Sequence, residues 1–100
     1  MDTSAERQAS GTPAHDLDTR RRRAAYRAHY RGTKEMDFLL GRYAAAHIAT
    51  FDEAALTRFE QFLSVPDPDL QRWFLAPEMM AGTDFADLVA DVRRFHGMDA

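Results

Sequence analysis

The sequence predicts an all-α fold, a small five-helix bundle with short antiparallel connections and a disordered N-terminal tail. Apolar residues recur at the 3.6-residue spacing of a helix in several segments, and no segment shows the alternation of a strand. Prolines and glycines separate these segments. With 100 residues, of which 45% are hydrophobic, the chain suits one globular domain, which we expect over residues 17–97.

The N-terminal segment differs in composition from the rest of the chain. Residues 1–16 are rich in small and polar residues, and they contain no run of large apolar side chains. Such a segment cannot bury enough apolar surface to offset the entropy lost on ordering. We therefore expect a disordered tail there. A first helix should follow over about residues 20–31, capped by Asp18 or Thr19 and ended by Gly32.

A second helix is predicted to begin after Thr33, whose hydroxyl can accept a hydrogen bond from a first-turn amide. Gly41 lies inside this helix, where glycine costs about 1 kcal/mol relative to alanine. We therefore expect a close helix crossing at that position. The apolar positions of this helix follow the helical period and are Met36, Leu39, Leu40, Tyr43, Ala44 and His47.

The third helix has two candidate caps. Thr50 with Glu53 forms the pattern of a capping box, and Asp52 competes with Thr50 for the capping position. Pro66 should end the helix, because proline does not continue an α-helix without distortion. One apolar stripe runs along it: Ala55, Leu56, Phe59, Phe62 and Leu63.

A short fourth helix and a fifth helix complete the predicted bundle. Asp67 is expected to cap the fourth helix, with Pro68 at its first position, and Trp73 and Phe74 are expected in the core. Pro77 and Gly82 mark the loop that follows. The fifth helix is opened by Thr83 or Asp84, carries Phe85, Leu88, Val89, Val92 and Phe95 on one face, and ends at Gly97.

Composition excludes several classes of protein. The chain has no cysteine, which rules out disulfides, thiolate zinc sites and thiol catalysis. No apolar run approaches the ~18 residues that cross a bilayer. The first residues include Asp2 and Glu6 and no apolar stretch, so they do not resemble a secretory signal. We therefore expect a cytoplasmic protein.

Little in the sequence resembles an active site. The four histidines are isolated from one another, and none forms a metal-binding pair at a spacing of four residues: His15, His29, His47 and His96. There is no glycine-rich phosphate loop and no nucleophile elbow. The sequence thus predicts no catalytic, cofactor-binding or metal-binding residues, and a protein that is not an enzyme.

Charge is distributed unevenly along the chain, whose net charge is −3. Residues 17–31 carry a net charge of +5, whereas residues 32–100 carry −6 and residues 1–16 carry −2. A basic helix on an acidic body is compatible with nucleic-acid binding, and equally with a protein partner of complementary charge.

The basic helix allows three interpretations. Four arginines are expected on one side of it, and two tyrosines lie four residues apart: Arg20, Arg23, Arg27, Arg31, Tyr26 and Tyr30. They can form a solvated helix face, a protein-docking face, or a nucleic-acid-binding face on which the tyrosines stack on bases. The acidic remainder of the chain disfavours the nucleic-acid interpretation because it would repel phosphate.

The junction between the first two helices combines charge with backbone freedom. Arg31 and Glu35 should flank the turn as opposite charges and can form an exposed ion pair. Gly32 permits a tight corner and the close approach of another backbone.

This junction, Arg31-Gly32-x-x-Glu35, resembles the motif of the succinate dehydrogenase assembly factor 2 family, the bacterial FAD assembly factor SdhE. Tyr26 and a basic helix precede it, and Asp37 and two leucines follow. The resemblance covers about residues 17–96. It continues in two further blocks, Phe59-Glu60-x-x-Leu63 and Pro66-Asp67-Pro68-Asp69-Leu70-x-x-Trp73.

The resemblance implies a small helical assembly factor of the bacterial cytoplasm that is monomeric when it is not bound to its client. Its partner would be the flavoprotein subunit of succinate dehydrogenase or fumarate reductase, to which it promotes covalent attachment of FAD. The FAD and the acceptor histidine would belong to that client, so no cofactor of its own is expected. The expected partner-binding residues are Arg31, Gly32, Glu35, Asp37, Tyr26 and Arg27.

Overall fold

The computed structural model describes residues 13–80 and 84–98, with side chains from residue 16 onward in those ranges. Within them the chain forms five α-helices and no strand, which confirms the predicted fold class. The helices are α1 (Pro13–His29), α2 (Lys34–His47), α3 (Glu53–Leu63), α4 (Asp67–Leu75) and α5 (Ala86–Phe95). Short 3₁₀ segments, Ile48–Thr50 and Pro77–Met80, follow α2 and α4.

The first helix is longer at its N-terminus than the sequence predicted. It begins at Pro13 rather than near Arg20, because proline suits the first helical position and Asp16 lies in the first turn. The prediction of a disordered tail is therefore wrong for residues 13–16, and residues 1–12 lie outside the described part of the chain. The helix ends at His29, although the Tyr30 amide still donates to the Tyr26 carbonyl at 3.1 Å.

The caps of α2 and α3 come from local side chains. Thr33 Oγ1 accepts a hydrogen bond from the Met36 amide at 3.2 Å, which confirms the predicted cap. Asp52 caps α3 by accepting from the Ala55 amide at 2.9 Å. Thr50, the other candidate, instead ends the preceding 3₁₀ turn and donates its hydroxyl to the His47 carbonyl at 2.7 Å.

The starts of α4 and α5 differ from the prediction. Asp67 is the first residue of α4 and not its cap; Pro66 occupies the capping position without a side-chain hydrogen bond. The Asp67 carboxylate is instead directed to Arg31. Helix α5 begins after Phe85 rather than after Asp84, and Thr83 lies outside the described residues.

The core joins all five helices. Helix α1 packs against α2 and α3, and α5 packs against α2 and α4. Three buried phenylalanines, Phe59, Phe62 and Phe74, supply much of its volume. The remaining buried hydrophobic residues are Ala24, Ala28, Met36, Leu40, Tyr43, Ala44, Leu56, Leu63, Leu70, Met80, Val89 and Val92.

Some of the predicted core positions lie at or near the surface. Ala55 is exposed in the first turn of α3, and Phe95 is exposed at the end of α5. Trp73 is only partly buried and packs at the edge of the core against Phe85, with 6.4 Å between ring centroids. Helix periodicity selects a face, but it does not show where the neighbouring helix ends.

The predicted close crossing at Gly41 is confirmed. A Cβ atom at this position would lie 2.7 Å from Nδ1 of His29, at the C-terminus of α1. Glycine thus allows the end of α1 to lie directly on α2, which fixes the corner between these two helices.

Candidate functional site

The corner between α1 and α2 carries the sequence motif. Gly32 adopts φ +111°, a conformation that side chains of L-residues rarely adopt. A Cβ atom at Gly32 would have no heavy atom within 4 Å, so the position is open to its surroundings. The requirement for glycine here comes from the backbone, and the open space beside it leaves room for another molecule.

Arg31 points inward from this corner. Its Nε and one terminal nitrogen donate to Asp67 Oδ1 at 2.9 and 2.7 Å, and the same terminal nitrogen donates to the Val65 carbonyl at 2.9 Å. The other terminal nitrogen donates to the Leu63 carbonyl. The side chain is only 11% exposed. The prediction of an ion pair between Arg31 and Glu35 is therefore wrong, because the guanidinium is already bound to Asp67 and to two backbone carbonyls.

Asp37 holds the backbone of the same residue. Its Oδ1 accepts a hydrogen bond from the Arg31 amide at 2.5 Å, across the turn from the start of α2. Asp37 is half-buried. Arg31 is thus bound at its backbone by one carboxylate and at its side chain by another, so the turn is fixed on both sides.

Glu35 differs from its neighbours in the motif. Its side chain is exposed and makes no hydrogen bond or ion pair with any residue that the structure describes. It stands at the rim of an apolar hollow of about 210 Å³ whose wall includes Phe38 and Leu75, both exposed. A carboxylate without an intramolecular partner beside exposed apolar surface is suited to contact with a protein.

Tyr26 and Arg27 lie on the outer face of α1, close to the corner. The rings of Tyr26 and Tyr30 are 4.6 Å apart between centroids, and these side chains are 66% and 68% exposed. Together with Arg27 and Arg31 they line a second open hollow of about 210 Å³. Exposed tyrosines beside arginine are typical of protein-docking surfaces.

The expected site residues thus separate into two groups. Gly32, Glu35, Tyr26 and Arg27 are exposed, whereas the side chains of Arg31 and Asp37 are engaged within the fold.

The other arginines of α1 do not form one continuous exposed row. Arg20 donates to both carboxylate oxygens of Glu60 at 3.2 and 2.8 Å and to the Thr57 hydroxyl at 2.9 Å. The hydrogen bond to Glu60 raises the pKa of Arg20 above its ordinary value. Arg27 donates to the Ser64 hydroxyl at 3.2 Å. Arg20 and Arg27 are therefore directed at α3 and the turn after it, rather than forming part of one row with their neighbours.

Two of the histidines, His47 and His96, contact backbone carbonyls within the fold. His96 Nε2 donates to the Leu39 carbonyl at 2.8 Å, and His47 Nδ1 lies 3.1 Å from the Tyr43 carbonyl. No group of three or more metal-binding side chains occurs in the described part of the chain. Among these same residues, no helix has both the length and the apolar composition needed to cross a membrane.

Sequence reasoning missed Asp67 as a member of this site. An aspartate before proline has the pattern of a helix cap, and the contact with Arg31 joins residues 36 positions apart. No local spacing indicates such a pair.

The fold and the corner define a small helical protein whose distinctive feature is an exposed turn held by hydrogen bonds on both sides. Comparison of the sequence with known protein families identifies its family. The chain belongs to the family described as flavinator of succinate dehydrogenase, whose model matches residues 22–96.

Named relatives agree with this assignment. The FAD assembly factor SdhE of Acetobacter pasteurianus is 37% identical over 94 residues, which cover 90% of this chain and 86% of that protein. The SdhE of Xylella fastidiosa is 35% identical over 63% of this chain and 65% of its own length. The mitochondrial succinate dehydrogenase assembly factor 2 of Meyerozyma guilliermondii is 34% identical, and the match spans 42% of it. The search of solved structures found no match.

Proposed function

We propose that this protein is an assembly factor that binds the flavoprotein subunit of succinate dehydrogenase, or of fumarate reductase, and promotes covalent attachment of FAD to it. Membership of the flavinator family over residues 22–96 supports the proposal. The structural observation that carries it is Glu35, an exposed carboxylate without a partner in the described chain, on a turn that Arg31 and Asp37 hold in place.

The corner would act as a docking surface. Glu35 would pair with a cationic or N–H donor group of the client, and Gly32 would admit the client's backbone, since no side chain stands there. Tyr26 and Arg27 would extend the contact along α1. A charged pair that loses its water on binding can contribute several kcal/mol, which makes Glu35 the residue most sensitive to substitution.

In this proposal the chemistry belongs to the client. The bound assembly factor would hold the client in the conformation that orients its FAD toward the acceptor histidine, an effect of positioning rather than of supplied acid or base. The protein would therefore hold no cofactor of its own, would not be an enzyme by itself, and would act as a monomer in the bacterial cytoplasm.

The test is substitution of Glu35 during co-expression with the client flavoprotein. We expect Glu35→Ala to lower covalent flavin on the client at least ~10-fold, because its pair in the complex is lost. The melting temperature should stay within about 3 °C of the unsubstituted protein, as for other surface changes in a small domain. Covalent flavin is measured by its fluorescence in a denaturing gel, and stability by circular dichroism.

Glu78→Ala is the matched control, because Glu78 is also an exposed glutamate but lies in the 3₁₀ segment after α4. It should leave flavin attachment unchanged. Full attachment by a folded Glu35→Ala protein would contradict the proposed role of the corner. Glu35 is the cleaner test position, because replacement of Gly32 would also strain a backbone at φ +111°.

A further inference from the structure

Arg31 connects three parts of the fold that are distant in sequence. Its guanidinium donates hydrogen bonds to the Leu63 and Val65 carbonyls, at and beyond the end of α3, and to the Asp67 carboxylate at the start of α4. Carbonyls at a helix C-terminus have no partner within the helix and favour a cation, and a helix N-terminus favours an anion. One arginine thus satisfies the end of α3 and binds the first side chain of α4.

The same residue determines the path of the corner. While its side chain is held by α3 and α4, its amide donates to Asp37 in the first turn of α2. Gly32 follows at once with its positive φ, and Thr33 caps α2. The position of α2's first turn relative to α3 and α4, and so the position of Glu35, depends on this connection.

These contacts leave Arg31 little to offer a partner. Most of the N–H groups that a guanidinium carries already have acceptors, and the side chain is nearly buried. If Arg31 contacted the client directly, it would first have to leave Asp67 and two carbonyls without their hydrogen-bond donor. The loss of these hydrogen bonds costs free energy for each acceptor, carboxylate or carbonyl, that stays buried without a donor.

We propose that Asp67 is a positioning residue for the docking corner: through Arg31 it holds Glu35 in the geometry in which the client is bound. This inference rests on the proposed function for its consequence in binding. The underlying connection, from Asp67 to Arg31 to Asp37, is a property of the protein alone and is tested separately.

The test compares Asp67→Ala with Asp69→Ala. Both aspartates lie in the first turn of α4, so each substitution removes the same favourable charge from the helix N-terminus. Asp69, however, pairs with Arg72 on its own helix and has no contact with Arg31. The difference between the two variants therefore reports the connection to the corner.

The first measurement uses the isolated protein. In Asp67→Ala the Arg31 amide should exchange its hydrogen at least ~10-fold faster than in Asp69→Ala, because the turn is no longer held at the side chain. Asp67→Asn, which keeps the side-chain volume, should show a smaller increase and remains measurable if the alanine variant does not fold. Equal exchange in the Asp67 and Asp69 variants would overturn the connection.

The second measurement is the dissociation constant for the client flavoprotein. Asp67→Ala should weaken binding about 10- to 100-fold, because Glu35 would no longer be held in the position in which it contacts the client. Asp69→Ala should change the dissociation constant less than about twofold. In a protein that already carries Glu35→Ala, the Asp67 substitution should have little further effect on binding. If Asp67→Ala acted by general destabilisation instead, it would weaken binding equally in both backgrounds.

Two results would contradict the inference in different ways. If Arg31→Ala weakens binding and Asp67→Ala does not, Asp67 does not position the corner. If the unsubstituted protein does not bind the flavoprotein, the proposed function fails, while the exchange experiment still decides whether Asp67 holds the turn.

Discussion

At the scale of single residues, one polar contact at the core joins α2 to α5. The buried Tyr43 donates its hydroxyl to Asp91 Oδ2 at 2.5 Å. This hydrogen bond, with Arg94 nearby, lowers the pKa of Asp91 below its ordinary 3.8. Burial and the same hydrogen bond raise the pKa of Tyr43 above its ordinary value. Folding therefore favours the ionised form of Asp91 over the protonated form.

The pH dependence of this pair is predicted by the direction of the shift. A carboxyl whose pKa is lower in the folded state contributes stability above its unfolded pKa and loses it as the pH falls through the folded value. At pH 7, Asp91→Asn should therefore melt at a lower temperature than the unsubstituted protein. At pH 3 and below that difference should shrink. The measurement is a set of circular dichroism melts from pH 7 to pH 2.

Tyr43→Phe serves as the partner variant, because it removes the donor and keeps the ring in the core. It should reduce the acid dependence in the same direction. A constant gap in melting temperature between Asp91→Asn and the unsubstituted protein at every pH would show that the hydrogen bond does not favour the ionised carboxylate.

At the scale of helices, α4 places two neighbouring aromatic residues in different surroundings. Phe74 is fully buried and meets Phe62 edge to face, whereas Trp73 lies at the border of the core beside Phe85. Phe74→Ala should therefore cost about 3–5 kcal/mol of unfolding free energy, and Trp73→Ala only ~2 kcal/mol, because part of the indole remains in water. Urea denaturation of both variants measures the difference. Equal losses would mean that Trp73 is buried as deeply as Phe74.

Helix periodicity and caps made the order of the five helices predictable. Thr33 predicts the start of α2 because a capping side chain bonds to an amide within one turn of it. Gly41 predicts a helix crossing because glycine destabilises a helix interior and so indicates a close contact there. The start of α1 was missed, since the composition of residues 1–16 outweighed the signal of Pro13. The contact of Asp67 with Arg31 could not be predicted from the sequence, because it depends on which helices pack together and not on neighbouring residues in the chain.

The same distinction applies to the proposed docking corner. The motif made Arg31, Gly32, Glu35 and Asp37 visible as a group, but spacing alone could not show which of them point into the fold. That depends on the carbonyls at the end of α3, which become acceptors for Arg31 only in the folded chain.

At the scale of the whole molecule, we predict that the purified protein is colourless and monomeric. The two hollows described above are open, whereas cofactor sites are usually enclosed pockets with a few converging polar groups. Absorbance in the visible flavin bands after gel filtration, together with light scattering for the mass, measures both properties. Stoichiometric flavin in the monomer peak would contradict the proposal that FAD belongs to the client alone.

Gly32 has a consequence that concerns chirality. A residue at φ +111° with empty space on its Cβ side disfavours L-amino acids because of their handedness and not because of their size. A mirror-image residue, D-alanine, would suit this backbone, and its methyl group would replace the other α-hydrogen of Gly32. A synthetic chain with D-alanine at position 32 would therefore keep the backbone of the turn and add a single methyl group at the corner. Such a chain would distinguish two requirements for glycine at position 32: the positive φ of the turn, and the absence of a side chain at the surface that a partner would contact.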